Sequence, residues 1–72
     1  MSNADQIRDE ALELARSGAD DDDAVAALLS HAERRIPMVM AKRMLEEQSF
    51  EPNAAAALRL VDAALTKGGW AE

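Results

Sequence analysis

Cysteine is absent from this 72-residue chain, and glycine, proline and aromatic residues are scarce. The lack of cysteine excludes disulfide bonds, zinc sites with thiolate ligands and cysteine nucleophiles. Aromatic residues make up only 3% of the chain, whereas alanine and leucine are abundant, which is typical of helices rather than sheets. No apolar run approaches the ~18 residues of a membrane span, so we expect no membrane association. The absence of cysteine favours the cytoplasm.

The length of the chain leaves room for only one small domain, because a typical domain has about 100 to 150 residues. Hydrophobic residues make up 49% of the chain and charged residues 31%, which is the composition of a folded globular protein. We therefore expect residues 1–72 to form a single all-α domain, a compact bundle of four short helices. Ser2-Asn3-Ala4 resembles the remnant of a cleaved tag, so residues 1–4 are expected to be tag-derived or disordered and enter no proposed site.

Capping residues and apolar periodicity predict the first two helices. The first begins near Ser2 or Asn3, where a side-chain oxygen can cap it, and ends at Ser17-Gly18. The second begins with Asp20 as its cap and either ends or kinks at Pro37. The apolar stripes expected to face the core are Ala4, Ile7, Ala11, Leu14 and Ala15 in the first helix, and Val25, Leu28, Leu29, Ala32 and Ile36 in the second.

The same signals predict two further helices. The third runs from Pro37 to about Gln48 and the fourth from Asn53 to about Lys67, with Phe50 between them and Trp70 folded back onto the core. The inward residues are Met38, Ala41, Met44 and Leu45 in the third helix, and Ala54, Ala57, Leu58, Val61, Ala64 and Leu65 in the fourth. Leu60 is assigned to a flanking strip.

The net charge of -6 is unevenly distributed along the chain. Residues 1–30 carry eight acidic residues against two arginines, and residues 46–72 are also acidic on balance. Residues 31–45 instead carry four basic residues, namely Arg34, Arg35, Lys42 and Arg43, against Glu33 alone. This basic patch is the one segment whose sign opposes that of the rest of the molecule, which makes it a candidate contact surface.

We expect a non-catalytic protein–protein interaction or regulatory module that acts through a helical surface. The candidate partner-binding residues are Arg34, Arg35, Val39, Met40, Lys42 and Arg43, and the expected partner is another protein that is acidic at the contact. The alternatives are nucleic-acid binding through the patch at residues 34–43 and acidic mimicry of DNA by the first two helices. A homodimer involving Val39, Leu12 and Leu60 is also an alternative.

Catalytic, metal and cofactor sites are not expected. His31 is the only histidine, and it stands without carboxylates at helical spacing on its side. The run Asp20–Asp23 lacks the glycine and glutamate spacing of a calcium loop and is better explained as acidic residues at a helix N-terminus. The basic patch also has an ordinary explanation as a solvated rim, in which Arg43 pairs with Glu46 or Glu47.

Overall fold

Four α-helices make up most of the computed structural model, which describes residues 3–30 and 35–69. They are α1 (Ala4–Ser17), α2 (Asp21–Leu29), α3 (Arg35–Glu47) and α4 (Ala54–Lys67), and the described ranges contain no strand. The prediction of an all-α bundle of four short helices is therefore confirmed. The predictions made for His31, Ala32, Arg34 and Trp70 lie outside the described residues. No helix within the described ranges is both long and apolar enough to cross a membrane.

Local side-chain and backbone hydrogen bonds fix both ends of α1 where the sequence predicts them. The side-chain oxygen of Asn3 accepts a hydrogen bond from the backbone N–H of Gln6 at 2.9 Å, and the Gln6 side chain accepts one from the Asn3 N–H at 3.0 Å. This reciprocal capping box satisfies two donors that the first turn leaves free. Gly18 ends the helix in the left-handed conformation, at φ 74°. Because Ala4 is buried, this start of the chain takes part in the fold.

We predict that Asn3→Ala lowers the free energy of unfolding by about 1 kcal/mol, because it removes the side-chain acceptor of the capping box. Asn53 provides a matched control, since it occupies the same position before α4 but makes no side-chain capping hydrogen bond. Urea unfolding followed by circular dichroism should show a clearly smaller loss for Asn53→Ala. Equal losses for the two variants would argue against the capping box.

The joint between the second and third helices differs from the prediction. The predicted second helix extends to Pro37, whereas α2 ends at Leu29 and α3 already begins at Arg35. Arg35 and Ile36 therefore belong to α3, and Ile36 is 69% exposed instead of extending the apolar stripe of α2. Pro37 lies in the first turn of α3, where its missing N–H removes no intrahelical hydrogen bond. Asp20 precedes α2 as predicted, but its side chain makes no capping hydrogen bond.

All four helices contribute to one apolar core. The largest fully buried side chains are Ile7, Leu28, Met38, Leu45 and Val61. The helix α4 contacts each of the other three, and α3 packs on α1 and α4. Because α4 has neighbours on several sides, its buried arc is wider than a single stripe.

Several other residues also differ from their predicted burial. The sequence pattern places Leu14, Ala15, Leu29 and Met44 in the core, but they are only partly buried. Leu60 is buried instead of flanking the core, so it offers no surface for a homodimer, and Leu58 is only partly buried. Phe50 is 80% exposed instead of lying between two helices. The chain reverses there through tight turns, with the Glu51 N–H donating to Gln48 and the Ala54 N–H donating to Glu51, which leaves Phe50 on the outside.

Candidate partner-binding surface

The helix α3 has a buried side and an uncovered side. Met38, Ala41 and Leu45 are buried, and α3 packs on α1 and α4. Among the described residues α2 makes no contact with α3, so the second helix does not cover the opposite side. That opposite side carries five residues, which we call the α3 outer face: Arg35, Ile36, Val39, Met40 and Arg43.

The α3 outer face is a shallow, open groove with a volume of about 260 Å³. Its apolar members are exposed to water, Ile36 by 69%, Val39 by 36% and Met40 by 52%. In the part of the chain that the structure describes, the other exposed large hydrophobic residue is Phe50. Contiguous exposed apolar side chains on a small folded domain are typical of an interaction site.

The two arginines of this face lack carboxylate partners within the described residues. Most other described cations are paired: Arg8 with Asp9 at 2.9 Å, Arg16 with Glu13, Lys42 with Asp62 at 3.1 Å and Arg59 with Asp21 at 3.3 Å. The hydrogen bond from Arg16 to Glu13, together with the Glu13 charge, raises the pKa of the Arg16 guanidinium. The expected pairing of Arg43 with Glu46 or Glu47, all three of which are described, is not seen. Arg35 and Arg43 are thus available to an incoming carboxylate.

The structure brings together four of the six predicted partner-binding residues. Arg35, Val39, Met40 and Arg43 line the groove. Lys42 does not line it, because its ammonium group bonds to Asp62 and links α3 to α4. Arg34 lies outside the described residues.

Ile36 is a member of the groove that the sequence interpretation assigns to a different helix. Its position three residues before Val39 and four before Met40 is a usable signal, since residues at these spacings share one helix face. That signal competes with the one from Pro37, which as a helix terminator places Ile36 at the end of α2.

The charges at the ends of α3 are opposite to those that a helix dipole favours. Arg35 lies in its first turn, and Glu46 and Glu47 lie in its last. Each such charge at the wrong end is unfavourable by roughly 0.3 to 1 kcal/mol when exposed. The other three helices follow the favoured pattern, with acidic residues first in α1 and α2 and basic residues last in α1 and α4. The reversed charges of α3 are therefore an exception within this fold.

Comparisons with protein-family models, curated proteins and solved structures give no match for this chain. Its function therefore has to be argued from its own surfaces. Within residues 3–30 and 35–69 no three histidine, cysteine or carboxylate side chains are grouped so that they could hold a metal ion. In the acidic run Asp20–Asp23, Asp21 pairs with Arg59 and so links α2 to α4. Within the described residues, the α3 outer face combines exposed apolar side chains with two arginines that have no ion-pair partner.

Proposed function

We propose that this protein is a non-catalytic, cytoplasmic interaction module that binds another protein through the α3 outer face, with no cofactor. The observation that carries the proposal is the placement of two arginines, unpaired within the described chain, beside three exposed apolar side chains on an uncovered side of a helix. The matching partner surface is apolar at its centre and carries a carboxylate at its edge, where it meets Arg35.

Each part of this surface has a physical role in such a contact. Burial of apolar area is worth about 25 cal/mol per Å², so Ile36, Val39 and Met40 supply the attraction. The unbranched thioether of Met40 can adapt to a partner surface. The arginines select for carboxylates, and the acidic remainder of the molecule repels acidic groups that approach elsewhere.

The alternatives find less support in the geometry. A nucleic-acid surface is polar and strongly cationic, whereas this groove places exposed apolar side chains between its arginines, and Lys42 is engaged by Asp62. Acidic mimicry of DNA needs rows of free carboxylates. The carboxylates of α1 and α2 that are in ion pairs include Asp5, Asp9, Glu13 and Asp21.

Site-specific photo-cross-linking tests the proposal. We expect a photoreactive amino acid at Val39 to form a covalent adduct with a protein in the source cell, and the same group at exposed Ala63 on α4 to form none. Adding Arg35→Glu and Arg43→Glu should lower the adduct yield about tenfold, because acidic side chains at these positions repel an acidic partner surface. The fold should persist, since exposed charges contribute under ~1 kcal/mol each and an acidic side chain at position 35 would suit the first turn.

The matched control reverses charge on the acidic face with Asp9→Lys and Glu13→Lys. These substitutions should leave the adduct at position 39 largely unchanged. An adduct that survives the arginine substitutions but disappears in the acidic-face variant would assign the function to α1 instead. The absence of any adduct at position 39 would refute the proposal.

A further inference from the structure

We infer that the protein bound by the α3 outer face is a second copy of this chain, with the two α3 helices packed antiparallel about a two-fold axis. This inference rests on the proposed function and names the partner of the same surface. Three features of α3 support it: the order of its charges, the position of its apolar residues, and the end charges that oppose its helix dipole.

The charge order of α3 is self-complementary. Arg35 and Glu46 are eleven residues apart, which is close to three full turns and about 17 Å, so both lie on one flank of the helix. Both are exposed, and neither has an ion-pair partner among the described residues. In an antiparallel pair related by a two-fold axis, this flank of one α3 helix lies beside the same flank of the other. The N-terminal end of each helix then lies beside the C-terminal end of its partner. Arg35 of each copy then lies opposite Glu46 of the other.

The apolar residues lie where such an arrangement needs them. The midpoint between Arg35 and Glu46 falls beside Met40, so the two-fold axis brings Met40 and Val39 of both copies together at the centre. Ile36 lies one turn from them on the same face. Arg43 belongs to the same face and lies about 4 Å along the helix from the axis, so the two Arg43 side chains also lie near the centre, where their like charges oppose association. The centre of the contact is therefore apolar beside these two arginines, and its two ends carry opposite charges.

An antiparallel partner also relieves the unfavourable helix ends. Arg35 at the N-terminus and Glu46 at the C-terminus of α3 both oppose its own dipole, and in the pair each meets the other's opposite charge. The net charge of -6 on each copy works against association, although at ~0.15 M salt charges more than about 8 Å apart are largely screened. One helix face is a small interface, so we expect the dimer to be in concentration-dependent equilibrium with monomer.

A charge-exchange experiment tests the arrangement by sedimentation over a concentration series up to the millimolar range. The natural chain should dimerise. Arg35→Glu alone and Glu46→Arg alone should each weaken dimerisation by about tenfold or more. The dimer contains two facing pairs of positions 35 and 46, and each substitution gives both pairs like charges. An equimolar mixture of the two variants should dimerise as the natural chain does, since every facing pair is then opposite in sign.

Lys67→Glu is the matched control, because it makes the same charge change at another exposed cation that is unpaired within the described residues. This variant should dimerise as the natural chain does. A natural chain that stays monomeric would overturn the inference, as would variants that dimerise fully alone or fail to recover in the mixture. These failures are distinct from failure of the proposed function. A monomeric chain whose position 39 still cross-links to a different protein refutes only the second copy, whereas no adduct at position 39 refutes both.

Discussion

Leu28→Ala should lower the free energy of unfolding by about 3 to 5 kcal/mol, because the Leu28 side chain is fully buried and its loss leaves a cavity. A domain of this length is stable by only about 4 to 11 kcal/mol in total. The helix α2 is the shortest of the four, and its buried residues besides Leu28 are the smaller Ala24 and Val25. Leu28 is therefore its main anchor, and its removal should leave the chain partly or wholly unfolded.

Leu58→Ala provides the comparison for Leu28→Ala. The sequence pattern places both leucines at the centre of an apolar stripe, but Leu58 is only partly buried in the structure. We expect its truncation to be clearly less damaging, at about 1 to 2 kcal/mol. Urea melts followed by circular dichroism measure both losses. Equal losses, or a larger one for Leu58, would contradict the burial of these two leucines in the structure.

Ala64→Leu should destabilise the fold by about 1 to 3 kcal/mol through overpacking. The side of α4 that faces the core includes fully buried alanines, Ala57 and Ala64 among them, and these small side chains let neighbouring helices approach closely. Three additional carbon atoms at position 64 have no space without displacing a neighbouring helix.

The adjacent residue supplies the matched control for this overpacking. Ala63 is exposed, and alanine and leucine have similar helix propensities, so Ala63→Leu should change stability by less than about 0.5 kcal/mol. Thermal unfolding of the two variants reports the difference. A tolerated leucine at position 64, or an equally harmful one at position 63, would contradict the assigned orientation of α4.

The parts of the fold that could be predicted from sequence depend on local interactions. The ends of α1 match the prediction because their signals lie within a few residues, as with Asn3 and Gly18. The bounds of α4 match as well, although Asn53 makes no side-chain capping hydrogen bond. Pro37 is different, since the same residue suits the first turn of a helix and also terminates one. Local sequence cannot decide between these outcomes. The choice depends on the packing of α3 against α1 and α4.

The candidate site could be predicted in part, and the limit again lies in tertiary structure. Helical spacing brings Arg35, Val39, Met40 and Arg43 to one surface once α3 is known. The ion pair between Lys42 and Asp62 joins residues twenty positions apart, so only the folded chain shows that Lys42 is engaged while Arg43 has no partner in the described ranges. The exposure of Phe50 likewise depends on the path of the turn before α4, and composition alone says nothing about that path.

Side-chain footprinting by a carbene reagent shows directly whether the α3 outer face binds a protein in the cell. The chain is labelled once as dilute purified protein and once in its source cell, and labelling of each residue is compared. We predict that Ile36, Val39 and Met40 are labelled strongly in the dilute protein and protected in the cell, while Phe50 is labelled equally in both. Unchanged labelling of the three α3 residues, or protection confined to Phe50, would contradict the account.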